Sequence, residues 1–332
     1  MWSDEYKGKK VLITGGLGFI GSNIAHKMTE LGAEVTIMDS EIERLGANYH
    51  NLLGITDRVR ILDEDIRDVE AVNKNVRWAD IVFDLAAQVD YKHSDKEPEY
   101  DASINILGHQ NIIEACRKEN PGCRVIFPGS RTQYGKVTET DLPVKEEHAL
   151  ETTNPTSTYT AHKTTIDMRF TLARRNGFNG VVLRLTNPFG PRAQIRNPSY
   201  CVLNYFIGQA LQGNPLTVFG EGSQLRDYVF IDDVVEAFAI AGIHPQPTSG
   251  VYNIGSGRGV SFKNMAEQIA ELTGAEVKTI DYPKEHQRFE TGHFYADISR
   301  AKQELSWEPR TDFRRGLEKT VQFYKENLPH YI

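Results

Sequence analysis

In the first half of the chain, short apolar runs alternate with stretches where apolar residues recur every three or four positions. Lys10-Val11-Leu12-Ile13-Thr14 reads as a buried strand. Ile20, Ile24, Met28 and Leu31 then fall on one face of a helix that Gly32 is placed to end. The same pattern predicts strands at 34–39, 59–62, 81–85, 124–127 and 181–185. It predicts helices around 104–117 and 157–175, with a charged helical stretch between the third and fourth strands. Alternation of this kind predicts an α/β fold, a Rossmann-type doubly wound parallel sheet covered on both faces. After about residue 186 the texture changes. Pro and Gly become dense, as in Asn187-Pro188-Phe189-Gly190-Pro191 and Phe219-Gly220-Glu221-Gly222, and the elements shorten. The expectation is a large unit over 1–186, with 227–250 packing back onto it. A smaller α/β lobe is expected from 187–226 and 251–332.

The first strand and first helix are joined by "ITGGLGFIGS", in which Gly15, Gly16, Gly18 and Gly21 fit dinucleotide-loop spacing. Glycine there permits a tight turn and close approach of backbone to a pyrophosphate, while the helix N-terminus offers free N–H groups. The segment Gly15 to Gly21, including Phe19 and Ile20, is therefore expected to hold a cofactor. Asp39, ending the second strand, is placed to accept hydrogen bonds from the adenosine ribose. A carboxylate at that point repels a 2′-phosphate, so NAD is expected rather than NADP. Asp65-Ile66 and Leu85-Ala86-Ala87 end the next two strands and are expected along the same ligand.

"TYTAHKTT" places Tyr159 and Lys163 on one face of a predicted helix. Tyrosine, with an ordinary pKa of about 10, is a poor base at neutral pH. A nearby ammonium and an oxidised nicotinamide ring would favour its phenolate. Tyr159 could then take a proton from an alcohol while a hydride leaves the same carbon, and Lys163 could also hold the nicotinamide ribose. The stretch "PGSRTQYGK" at 128–136 follows the fifth strand, at the sheet edge where such folds bind ligands. It places Ser130 to share the substrate proton, with Thr132 as a competing hydroxyl.

Composition narrows the setting. With 38 basic and 45 acidic residues the net charge is −7, which speaks against general nucleic-acid binding. Three cysteines without CxxC spacing indicate neither zinc nor a redox dithiol and fit a reducing cytoplasm. The polar stretch 1–10 lacks the apolar core of a signal peptide, and no apolar run approaches the ~18 residues of a membrane span. A cytoplasmic protein without membrane or metal dependence is expected.

Taken in order, "TGGLGFIGS", Asp39, "DIRD", "LAAQV", Ser130 with "YG", "YTAHK", "LRLTNPFGPR", "LTVFGEGSQLRDYVFIDDVVEA", "YNIGSG" and "YADISRAKQELSWEP" cover almost the whole chain. This series resembles the extended short-chain dehydrogenase/reductase family, in its nucleotide-sugar epimerase and dehydratase branch, and is similar to UDP-glucose 4-epimerases. The resemblance implies a Rossmann half holding NAD and a second lobe closing over a nucleoside-diphosphate sugar. It implies Ser130, Tyr159 and Lys163 as catalytic residues and oxidation of a sugar hydroxyl, commonly at C4, as the first step. In a 4-epimerase the hydride returns to the other face of the ring. A nucleotide-sugar 4-dehydrogenase, a dehydratase and a silent NAD-binding regulator are the competing readings.

Dehydratase relatives resemble "TDEVYG", with an acid and a base for removing water, and decarboxylase relatives keep a Glu two residues before the "YG" tyrosine. Here the stretch is Ser130-Arg131-Thr132-Gln133-Tyr134, and Thr132 resembles the 4-epimerase pattern "SATVYG". For the substrate, the resemblance implies contacts from Gln88 in the polar 88–93 loop and from Asn187, Arg226 and Arg288. Arg226 either meets the diphosphate or pairs with Asp227 or Asp232. Arg288-Phe289-Glu290 departs from the family's "RPGD". Two roles stand open for Arg131: reaching a substrate carboxylate or phosphate, or lying solvated at the strand end. Tyr91, Lys92 and His93 either touch the sugar or line a solvated loop. A homodimer is implied, built on the helix near 100–118 and the Tyr159 helix.

Overall fold

The computed structural model describes residues 2–245, 248–284 and 289–332. At its centre is a parallel sheet. The strands are β1 (Lys10–Thr14), β2 (Glu34–Asp39), β3 (Val59–Asp63), β4 (Ile81–Asp84), β5 (Arg124–Ser130) and β6 (Gly180–Leu185). Val251–Ile254 adds a seventh strand at the edge. From that edge the order runs 251–254, β6, β5, β4, β1, β2, β3, and all the pairs are parallel. Helices cover both faces, so strands such as β4 and β6 are buried throughout and read as continuous apolar runs.

Side-chain alternation sorts the core into two layers. Val11 and Ile13 point to one face, where they share a cluster with Ile24 of α1 (Phe19–Glu30) and Phe238 of helix Ile231–Ile243. Leu12 points to the other, with Ile112 of helix His109–Glu119 and Phe170 of α6 (Thr158–Arg175). β1 lies between β2 and β4, so the chain's winding reverses beside it, and the crevice outside its carboxyl end is open for a ligand.

Three differences from the sequence expectation go beyond a residue or two at an element's end. β5 continues past Phe127 through Pro128 and Gly129 to Ser130, in register with Leu183, Arg184 and Leu185. The expected helix at 104–117 divides into a π-helical turn, Ser103–Gly108, and the α-helix His109–Glu119. Residues 251–254, expected to open the smaller lobe, instead complete the central sheet by pairing with 182–185 of β6. That strand has four residues, too few for its alternation to be distinguished from a loop.

The remaining lobe includes the short parallel pair Leu216–Phe219 with Val277–Ile280 and the antiparallel pair Leu225–Arg226 with Val260–Ser261. Its helices include Val202–Leu211, Phe262–Thr273 and Phe313–Asn327. Among the described residues no helix is long and apolar enough to cross a membrane, and no cluster of His, Cys, Asp and Glu could hold a metal ion.

Candidate active site

A cavity of about 820 Å³ runs from the carboxyl end of β1 to the smaller lobe. At one end, Gly15, Gly18, Phe19, Ile20, Gly21 and Asp39 line it. Asp65, Ile66, Leu85, Ala86 and Ala87 continue the same wall. Gly15 has φ +66°, and a Cβ there would sit 2.8 Å from the Ala86 backbone. A side chain would both strain the turn and fill the cradle. Gly18 caps α1 with no side-chain hydrogen bond, so the first-turn N–H groups are left for an anion.

Asp39 accepts hydrogen bonds from the Leu17 N–H at 2.9 Å and the Glu41 N–H at 3.0 Å. Each carboxylate oxygen retains a lone pair for a ribose hydroxyl. Burial raises its pKa; those two N–H groups oppose the rise, and the negative charges of Glu41 and Asp63 add to it. This acidic surrounding disfavours a 2′-phosphate. Asp65 is pinned by Arg67 at 2.6 Å. Burial raises the Asp65 pKa, and the Arg67 hydrogen bonds and charge more than offset it, leaving the carboxyl below its usual range. The glycine cradle, the uncapped helix and the acidic ribose position together fit a dinucleotide without a 2′-phosphate.

The floor of this end is fixed by a buried relay. Thr14 Oγ1 donates to Asp84 Oδ1 at 3.0 Å and accepts from the N–H groups of Leu85 and Ala86 at 2.9 and 3.0 Å. The other Asp84 oxygen meets His109 Nδ1 at 2.8 Å. Neither Asp84 nor His109 was identified from sequence. The signal available was an acid ending the apolar run 81–83, which is costly unless paired.

Midway along the cavity, Ser130, Tyr159 and Lys163 come together. The Ser130 side chain lies close enough to the Tyr159 phenol to lower its pKa, and Ser130 Oγ lies 2.9 Å from Thr132 Oγ1. The helix bearing Tyr159 starts where it does because Ser157 caps it, accepting from the Thr160 N–H at 3.2 Å. Two further first-turn donors are taken by the preceding helix Tyr91–Lys96 and its chain. Thr158 N–H reaches Asp95 at 2.8 Å, and Tyr159 N–H reaches Ser94 Oγ at 3.0 Å.

Lys163 is buried, with its Nζ 4.1 Å from the centre of the Phe127 ring. Burial pulls its pKa down to about 8, against the opposing pull of Asp84, Asp101 and Asp167. The expectation that a neighbouring ammonium lowers the Tyr159 pKa is not met in the protein alone. Burial and the negative charge of Asp101 push the phenol well above its ordinary value, and the nearby Ser130 side chain only opposes them. A further cation beside the ring is needed to favour the phenolate.

The Ser130 loop is itself anchored. Gln133 accepts from the Ser130 N–H at 2.6 Å and donates to Asp167 at 2.9 Å. Asp167 forms a buried two-point pair with Arg184 at 2.8 and 3.2 Å. Arg184 donates to Tyr134 OH at 3.0 Å, and Tyr134 donates to Asn253 at 2.7 Å. Sequence reading missed this network. Arg184 inside the apolar run 181–185 was the signal for it.

At the far end, Asn187, Arg226 and Arg131 line the cavity together with Tyr228 and Thr186. Asn187 Oδ1, Thr186 Oγ1 and Tyr228 OH are buried without a protein partner. Arg226 pairs with Glu290 at 2.7 Å and donates to the carbonyls of Leu225 and Gly292. Its expected alternatives are occupied elsewhere. Asp227 accepts from Ser256, Gly257 and Ala296, and Asp232 meets Lys319 at 3.1 Å.

Gln88 corrects the expectation of a substrate contact. It is fully buried and lies off the cavity, donating to Asp101 at 2.7 Å and to the Asp90 carbonyl at 3.0 Å. Of the polar loop, Tyr91 and Lys92 line the cavity and His93 does not. Arg131 is half-buried against the Phe294 ring, not solvated. Arg288 lies outside the described residues.

A family model described as the NAD dependent epimerase/dehydratase family matches residues 11–255. A UDP-N-acetyl-alpha-D-glucosaminuronate decarboxylase of Bacillus cytotoxicus is 31% identical over 96% of this chain and 98% of its own. A UDP-glucose 4-epimerase of Mycolicibacterium smegmatis is 29% identical over 95% of this chain and 98% of its own. Among solved structures, UDP-glucose 4-epimerase of Thermotoga maritima with UDP-glucose superposes with a TM-score of 0.86. It is 29% identical, and the match covers 96% of this chain and 99% of that one.

Proposed function

The chain belongs to the NAD-dependent epimerase/dehydratase family, and on that premise we propose that it is a nucleotide-sugar epimerase that inverts a sugar carbinol, C4 in particular, by transient oxidation. Its cofactor is NAD. Held by the Gly15–Gly21 loop, Asp39 and Lys163, oxidised NAD would supply a reversible hydride acceptor and a positive charge that favours the phenolate.

The reading rests on Ser130 and Tyr159 meeting in one cavity, with the buried Lys163 one helical turn from the tyrosine. Tyr159 is the general base: it takes the carbinol proton, with Ser130 holding the same oxygen, and hands the proton back after the ring has turned over. Lys163 is the cation that steadies the phenolate and a hydrogen-bond donor for a ribose. Elimination of water needs an acid and a base near the ring. The Ser130–Tyr134 loop has no carboxylate, and Glu290, the carboxylate that lines the far end among the described residues, is held by Arg226, Tyr282 and the Gly292 N–H. This favours return of the hydride over dehydration.

For the diphosphate we assign Asn187 and Arg226, a guanidinium suited to two phosphates. We further assign a homodimer joined through the face carrying Leu107, Met168 and Leu172, three large apolar side chains left exposed on the π-turn and α6. The test is proton NMR of purified protein with UDP-, GDP-, CDP- and dTDP-sugars and no added cofactor. Equilibration of one sugar with its C4 epimer is expected. A 6-deoxy-4-keto product would overturn the argument from the missing carboxylates. Turnover only with an external oxidant would replace epimerisation by a dehydrogenase.

A further inference from the structure

We propose that Arg131 is a specificity-determining residue that recognises a carboxylate on the sugar ring, so that the substrate class is a nucleoside-diphosphate sugar acid. This inference rests on the epimerase reading for where the sugar lies. Arg131 directly follows Ser130, whose hydroxyl shares the cavity with the Tyr159 phenol and lies close enough to lower its pKa. Those two hydroxyls fix the position of the reacting carbinol, and Arg131 reaches the cavity within one residue of them.

Its guanidinium is unusually unsatisfied. One N–H group donates to Thr291 Oγ1 at 3.2 Å, and the plane packs 5.6 Å from the centre of the Phe294 ring. No carboxylate pairs with it among the described residues. A guanidinium carries five donors in a planar fork, so an adjacent pair remains for a two-point bond to a carboxylate. The contrast with Arg226 is informative. Arg226 is matched by Glu290 and two carbonyls, whereas Arg131 forms no ion pair among the described residues and feels Glu290 and Asp227 only from a distance. Burial and the like charge of Arg226 together pull the Arg131 pKa down to about 9. An anion placed against it would relieve both effects. Around it, Tyr228 OH and Thr186 Oγ1 lack protein partners and can complete the oxygen-binding wall. The loop that carries Arg131 is held rigid by the Gln133–Asp167–Arg184 chain, so the fork is already in place before a ligand enters.

The test uses NAD-loaded protein and two matched pairs, UDP-glucose with UDP-glucuronate and GDP-mannose with GDP-mannuronate. Affinity is measured by calorimetry and turnover by NMR, alongside UDP and GDP alone. The acid of one pair is expected to bind at least about 10-fold more tightly than its neutral partner. In Arg131→Ala that ratio falls to about one, because the group that distinguishes the acid from its neutral partner is gone. Arg131→Lys, which keeps the charge and loses the fork, recovers part of it and guards against misfolding of the alanine variant. A wild-type ratio near one in both pairs overturns the proposal. So does an Arg131→Ala variant that weakens UDP or GDP alone and leaves the ratio intact, because the guanidinium then serves the diphosphate. Tight, Arg131-dependent binding of the acid without conversion upholds the carboxylate site and sinks the epimerase reading. Epimerisation with no preference for the acid does the reverse.

Discussion

The two ends of the cavity are built on different principles. The cofactor end is made chiefly of backbone and small residues. Its glycine loop, first helix and ribose carboxylate all come from residues 14–39, consecutive elements that pair directly. The substrate end is made of long side chains from separated segments, with Tyr91, Arg131, Asn187, Arg226 and Glu290 converging on it. A site of the first kind tolerates little change in shape, because the ligand touches main chain. A site of the second kind keeps its frame and changes its preference one side chain at a time.

The largest expected effect lies where the two ends meet. Tyr159→Phe removes the proposed base and leaves the ring in place, so kcat is expected to fall by about 10³-fold while NAD content and sugar affinity, measured by absorbance and calorimetry, stay near wild type. A matching loss of affinity would mean that the hydroxyl binds substrate and does not move its proton. At the cofactor end, Gly15→Ala adds a Cβ at positive φ against the Ala86 backbone. Strain of this kind predicts NAD binding weaker by about 10- to 100-fold, read by titration of the apoprotein. An unchanged affinity would refute the claim that main-chain fit governs this end.

The pH dependence separates the ends further. A lysine is charged below its pKa, and burial holds that of Lys163 near about 8. kcat/KM is therefore expected to fall as pH rises through that value in the free enzyme. Lys163→Arg, with a cation that keeps its proton, moves the fall to higher pH at a lower maximal rate. An alkaline limb that does not move would remove Lys163 from the profile.

The smallest effect concerns the frame. Glu304 accepts from Thr248 Oγ1, Ser249 N–H and Tyr252 OH, tying down the edge strand 251–254. Burial raises its pKa, but these hydrogen bonds more than offset that and hold it at about 2, below the ordinary 4.5. Its stabilisation is complete above about 4.5 and is lost as pH falls through about 2. Glu304→Gln is expected to lower Tm by roughly 2–4 °C at neutral pH and by less at pH 2 to 3. An equal loss at both pH values would show that the charge is not what stabilises the strand.

The same division explains what the sequence disclosed. β1 and β2 fall at 10–14 and 34–39 as the apolar runs predict, because a strand covered on both faces must be apolar along its length. The Tyr159 helix begins one residue after its expected start, since Ser157 is its cap. Local chemistry also made the glycine loop and Asp39 legible. Contacts that depend on which distant segments meet were not. Gln88 was assigned to substrate by its place in a polar loop, and only the fold shows Asp101 and Asp90 claiming its amide. Arg226 was given two acidic partners close in sequence, and its partner is Glu290, 64 residues away. The strand at 251–254 is recognisable only beside β6.

The chain of hydrogen bonds from Ser130 through Gln133, Asp167, Arg184 and Tyr134 ends on Asn253, and this sets an order in time. A nascent chain that has emerged as far as β4 already holds the whole glycine loop and its ribose carboxylate. One that has emerged as far as Arg175 holds Ser130, Tyr159 and Lys163, yet lacks Arg184, the partner of Asp167, and Asn253, the last acceptor of the network. During synthesis the dinucleotide end can therefore take shape well before Ser130 is locked. Ribosome-bound chains halted on either side of residue 254 should differ in how firmly that loop is held.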